Sequence, residues 1–179
     1  MKSLLALARA IDGVNERVGR MVGWLVLAAC LVSAGNAAVR YLFNASSNAW
    51  LEIQWYMFGA MFLPAAGYVL RHDGHVRVDI FYHRLSARGR AWVDLLGGLL
   101  FLLPMAVLIG WLSWPVFMQS WAIGEMSPDP GGLVRWPVKL LVPLGFGLLA
   151  LQGVAEIIKR VGILTGDYVP EGSYKRPEA

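Results

Sequence analysis

The segment RHDGHVRVDIFYHRLSARGR, residues 71–90, separates two long apolar runs and carries five arginines together with all three histidines of the chain. Arginine beside a membrane span is retained on the cytoplasmic face, so a short loop this rich in arginine fixes the direction in which its neighbours cross. Apolar runs at 50–70 and 91–116 flank it, and two more lie beyond, at 21–42 and 136–158. About 20 helical residues at 1.5 Å each cover a hydrocarbon core of about 30 Å, so every run is long enough to cross.

Composition points the same way. The chain has 179 residues, 57% of them hydrophobic, and no stretch outside the four runs has room for a separate soluble domain. The net charge of +4 is concentrated at span ends, where it sets orientation and meets anionic lipid headgroups, so membrane lipids are expected partners and nucleic acid is not. Cys30 is the single cysteine and forms no intramolecular disulfide.

The expected fold is an all-α integral membrane protein with four transmembrane helices and an N-terminal amphipathic interfacial helix, both termini cytoplasmic. Over residues 1–20 the apolar positions Leu4, Leu7, Ile11, Val14, Val18 and Met21 recur at spacings of three and four, one face of a helix suited to the membrane surface. The membrane domain spans 21–160. Leu27 to Cys30 resembles a lipoprotein cleavage box, but the chain stays apolar after Cys30, which favours a retained span. Pro104 falls inside the third span as a kink site, and Pro137 opens the fourth in the first turn, where a missing N–H costs least. Residues 161–179, mixed in charge and rich in Gly and Pro, read as a disordered cytoplasmic tail.

The distribution of Lys and Arg tests this threading. Thirteen of the sixteen fall on the leader, the central loop or the tail, leaving only Arg40, Arg135 and Lys139 for the opposite face. Four spans with both termini inside require that asymmetry. Tryptophans mark both boundaries, Trp24 and Trp92 near the inner one and Trp50, Trp55, Trp114, Trp121 and Trp136 near the outer.

Few ionisable groups lie near the spans. Arg40 ends the first and Glu52 opens the second, and a structural ion pair across the intervening turn is expected. Asn36 lies one turn before Arg40, beside a small-residue stripe of Ala29, Ser33 and Ala37 suited to close helix packing. Asp94, Gln152 and Glu156 lie toward inner span ends, within reach of the central-loop arginines. His72, His75, Asp79 and His83 have the residue types of a metal site, but arginines interleave with them and no zinc-enzyme spacing is present, so interfacial roles are expected and no metal. Haem would need axial ligands inside the bundle, and the histidines all fall in one loop. No phosphate-binding glycine loop, activated nucleophile or carboxylate dyad is evident, so the chain does not read as an enzyme. Broken helices and repeated halves, the marks of a midplane transport site, are also lacking. A membrane subunit that works with a partner remains. The alternatives are a membrane anchor for a redox enzyme and a self-contained small transporter.

Asn36 to Arg40, Trp50-Leu51-Glu52, Gly67, His75-Val76-Arg77-Val78-Asp79, Leu85-Ser86, Arg90, Trp92-Val93-Asp94, the loop from Ser127 to Pro137, Pro143 and Gln152 to Glu156 together resemble the small membrane subunit of tripartite ATP-independent periplasmic (TRAP) transporters, the DctQ-like family. The likeness runs from about Val18 to Arg160. It implies a non-catalytic subunit in a bacterial inner membrane, bracing a large DctM-like permease that takes up an organic acid with sodium from a periplasmic DctP-like receptor. Sodium and substrate ligands would then belong to the large subunit, with no cofactor bound here. By the same resemblance Arg40 and Glu52 lie at the outer hairpin and His75 to Asp79 at the cytoplasmic elbow. The loop Gln119 to Arg135, with Trp121 and Glu125, is the expected contact for the receptor.

Overall fold

A computed structural model describes residues 1–45, 47–75, 82 and 84–169. Among these the chain is helical, with a single isolated bridge between Met126 and Val134 and no strand. The helices are α1 (Lys2–Phe43), α2 (Asn48–Arg71), α3 (Ala87–Gly97), α4 (Leu103–Ala122) and α5 (Trp136–Thr165). A π-helical turn, Gly98–Leu102, joins α3 to α4, so that Ala87–Ala122 forms one span. Four helices are thus long and apolar enough to cross a membrane.

The π turn has a local cause. Pro104 has no N–H to return to the carbonyl four residues back, and its ring crowds that carbonyl. The ladder adjusts one residue earlier, where the Leu103 N–H reaches back five residues to Gly98 O. The expected kink site is therefore a change of helical pitch, a common device at such interruptions.

Residues 1–20 and the first span, read separately from the sequence, form one uninterrupted 42-residue helix. The stretch contains no proline, and a change from amphipathic to uniformly apolar pattern is not a helix stop. Asn44, in the left-handed region at φ 51°, ends it. The disordered tail expected over 161–179 needs correction at its start, because α5 continues to Thr165. Gly162 does not end it. The stop is Gly166, whose φ of 81° suits glycine and whose N–H reaches Ile163 O at 3.3 Å, while Asp167 and Tyr168 both donate to Gly162 O. Residues 170–179 lie outside the described residues.

α5 is the helix that every other one packs against; α1 and α2 also pack on each other. α1 and α2 share no comparable face with α3 and α4. The arrangement is a three-helix cluster of α1, α2 and α5 with α3 and α4 laid against α5, and not a closed four-helix bundle. Its tight points are glycines. At Gly145 of α5 a Cβ would lie 2.6 Å from Leu63 O of α2, and at Gly67 of α2 one would meet the Asn15 amide of α1 and, at 3.1 Å, Leu148 O of α5. Helices without side chains at the contact approach closely, the main source of packing energy where lipid replaces water. Most large apolar side chains point outward, as in Trp24, Leu31, Phe101 and Trp111, as a chain surrounded by hydrocarbon requires.

Gly145→Ala therefore forces α2 and α5 apart and should lower stability by about 1–3 kcal/mol. Gly147→Ala, whose new methyl would meet nothing within 4 Å, should be tolerated. Denaturant titration of both variants in mixed micelles makes the comparison.

Candidate functional site

The polar side chains gather at the two ends of the helices. One end carries the α1–α2 turn and the loop 123–135; the other carries the start of α1 and the ends of α2 and α5. Between them, none of the described residues from 53 to 70, from 95 to 122 or from 140 to 151 is Asp, Glu, Lys or Arg.

At the loop end Glu52 is buried, 4% exposed. Its carboxylate accepts hydrogen bonds from Ser127 Oγ and, at 2.6 Å, from the Leu133 N–H. Arg135 Nη2 lies 3.6 Å away and also donates to Ser127 Oγ at 3.1 Å. The guanidinium sits over the Trp55 ring, 5.2 Å from its centroid. One turn on, Tyr56 donates to Val134 O at 2.8 Å, and Asn48 Nδ2 reaches Pro130 O. The first turns of α2 thus hold the loop through its backbone. The expected Arg40–Glu52 pair is not formed: Arg40 is exposed, and Glu52 turns toward the 123–135 loop, where a backbone N–H, a hydroxyl and a guanidinium satisfy its oxygens together. One flexible cation across a turn offers less.

Glu125 and Trp121 stand at the same end. Glu125 is half-buried, pairs with Lys139 Nζ, and accepts the Arg135 N–H at its backbone carbonyl. The Lys139 ammonium beside it holds its carboxyl below the ordinary carboxylate range. Trp121 is half exposed and packs edge-on against Trp136, centroids 4.4 Å apart. Asn36 and Ala29 are partly buried on α1, whereas Ser33 and Ala37 of the small-residue stripe are exposed.

At the opposite end Gln152 is fully buried. Its carbonyl accepts from Asn15 Nδ2 at 2.9 Å, and its amide donates to Asp12 Oδ1 at 2.7 Å and Glu156 Oε1 at 3.1 Å. Lys159 bridges the same two carboxylates at 2.9 and 2.6 Å. Arg160 pairs with Asp94 at 3.2 Å and Glu156 at 3.6 Å, and Tyr82 donates to Asp94 at 2.8 Å. Glu16 of α1 gathers Arg71 at 2.7 Å, His72 at 2.9 Å and Arg20 at 2.8 Å. The network ties α1, α2, α3 and α5 together. For Gln152 and Glu156 the described partners come from α1 and α5, not from the central loop. His75 is exposed just past α2, and Asp79 lies outside the described residues.

Asp12, Asn15 and Glu16 were not among the expected site residues, although their i, i+3, i+4 spacing places three polar groups on one face of α1. Ser127 and Arg135 were missed as partners of Glu52 because a loop fold, not a sequence interval, brings them there.

A family model described as "Tripartite ATP-independent periplasmic transporters, DctQ component" matches residues 29–162. No curated protein matches the chain.

If Glu52 and Arg135 hold the loop, Glu52→Ala should speed hydrogen exchange at the Leu133 amide by about tenfold or more, while Arg40→Ala leaves it unchanged. The Glu125–Lys139 pair gives a pH signature. Because the carboxyl titrates lower folded than unfolded, its contribution is full above the ordinary carboxylate range and fades as pH falls through the lowered value. Acid titration of tryptophan fluorescence should show this step in the native chain and lose it in Glu125→Gln.

Proposed function

The chain belongs to the DctQ component family of tripartite ATP-independent periplasmic transporters, and from that premise we propose that it braces a larger, DctM-like permease subunit in a bacterial inner membrane, both termini cytoplasmic. It is the small subunit of a transporter and not an enzyme. The permease it serves carries an organic acid inward, driven by sodium, after delivery by a periplasmic DctP-like receptor. No sodium, substrate or cofactor site is assigned to the small subunit.

The observation that carries this reading is how the charges are used. Apart from Arg40, the ionisable groups nearest the spans are committed at the two ends of the helices to holding those helices and one loop in register, while the surface between is apolar and outward-facing. That is the construction of a rigid wall. A carrier that rebuilds its site during each cycle needs polar groups at mid-depth. Orientation is supported by the thirteen cations at the terminal end and central loop. The loop end, with Trp121 and Glu125 set on a backbone latched by Glu52, faces the periplasm in this reading and offers the receptor a firm surface.

With Cys30 replaced by Ala, a cysteine at Asp129 should react with a membrane-impermeant maleimide on spheroplasts, and one at His75 should react only after lysis. Mild-detergent purification of the tagged chain should bring a larger membrane subunit with it. Outside labelling at His75 would reverse the orientation, and substrate uptake by the purified chain alone would end the bracing role.

A further inference from the structure

At the terminal end, α1, α2 and α5 enclose a cleft of about 770 Å³ lined by six cationic and three acidic side chains. The acids are spoken for. Asp12 bridges Lys159 and the Gln152 amide, Glu16 holds Arg71, His72 and Arg20, and Asp167 accepts from Thr165 at 2.8 Å. Lys2, Arg9 and Arg17 of α1 also line the cleft and form no ion pair among the described residues. Their spacing, with Gly13 between Arg9 and Arg17, puts them along one face of the helix. At Gly13 a Cβ would meet nothing within 4 Å, so the row of cations is notched at its centre.

The next face of α1 is apolar and open. Leu7, Val14 and Met21 are 51%, 45% and 72% exposed, and their seven-residue spacing runs the stripe directly into the first span. A ligand that fits both faces has a negative head and a long apolar body. We propose that the cleft binds an anionic glycerophospholipid, its phosphodiester headgroup between Arg9 and Arg17 over Gly13, its acyl chains running from Val14 past Met21 along the first span. Placing the headgroup at this height rests on the terminal end lying at a membrane boundary. Free phosphate shares the headgroup's chemistry but makes no use of the apolar stripe.

The test counts lipids retained on the full-length chain, in whatever assembly it purifies with, by native mass spectrometry after exchange into detergent with phosphatidylglycerol or phosphatidylcholine. Retention of phosphatidylglycerol over phosphatidylcholine is expected. Arg9→Gln with Arg17→Gln, both exposed and without an ion pair among the described residues, should weaken it about thirtyfold, as the loss of two interfacial cations implies. Gly13→Leu keeps every charge, fills the notch and should also weaken it. Arg84→Gln with Arg88→Gln, the same charge change outside the cleft, should not. Equal retention of both lipids, equal loss in the Arg84 and Arg88 variant, an unaffected Gly13→Leu, or displacement of lipid by millimolar inorganic phosphate would each overturn the proposal. These counts are made in detergent and do not depend on which way the chain is threaded, so their failure leaves the bracing role and its labelling test untouched.

Discussion

Everything in this structure depends on a constraint set by the surroundings: hydrocarbon offers no partner to a polar group, so each one near the spans must find its partner within the protein. Gln152 is where that constraint is met most completely. It has both amide functions satisfied, on one side by Asn15 and on the other by Asp12 and Glu156. Apolar side chains give little preference for one helix alignment over another when the solvent is equally apolar. A buried amide with fixed donors and acceptors has one good alignment, so α1 is set against α5 at a defined height and rotation. Glycines at positions 67 and 145 then allow the backbones to close on that alignment.

The two polar ends differ in kind. The Gln152 end joins side chains from four helices, and its strength is shared among several carboxylates and cations. The Glu52 end is a single carboxylate taking a loop backbone and a guanidinium, with Tyr56 and Asn48 adding hydrogen bonds to carbonyls of the same loop. The first fixes helices relative to each other. The second fixes the shape of a surface, the property on which recognition by another protein would rely.

Much of the fold was legible from the chain because apolar length and arginine placement are one-dimensional signals. Four runs of sufficient length predicted four spanning helices, and α2 from Asn48 to Arg71 departs from its expected limits by only two residues at the start and one at the end. Boundaries failed where the deciding event was conformational. Gly162 and Gly166 look alike in sequence, yet only Gly166 takes the left-handed conformation that ends α5. Partners failed where the chain doubled back. Arg40 and Glu52 are close in sequence, but the loop at 127–135 approaches Glu52 from more than seventy residues away. A face such as Asp12, Asn15 and Glu16 carried its signal openly, but its polarity reads equally well as solvent exposure until α5 is laid against it.

The central place of α5 bears on how the chain is made. Because synthesis runs from the N-terminus, α5 leaves the ribosome after α1 to α4, and yet it is the one on which all four pack. Until Trp136 to Thr165 has been inserted, α1 and α2 have only each other as helices to pack on, and α3 and α4 lack the helix they are laid against. Topology must therefore be fixed span by span, by local charge, before the contacts to α5 can correct it. A nascent chain stalled or truncated before Gly145 would leave two loose halves in the bilayer, the state that membrane quality-control proteases are placed to remove.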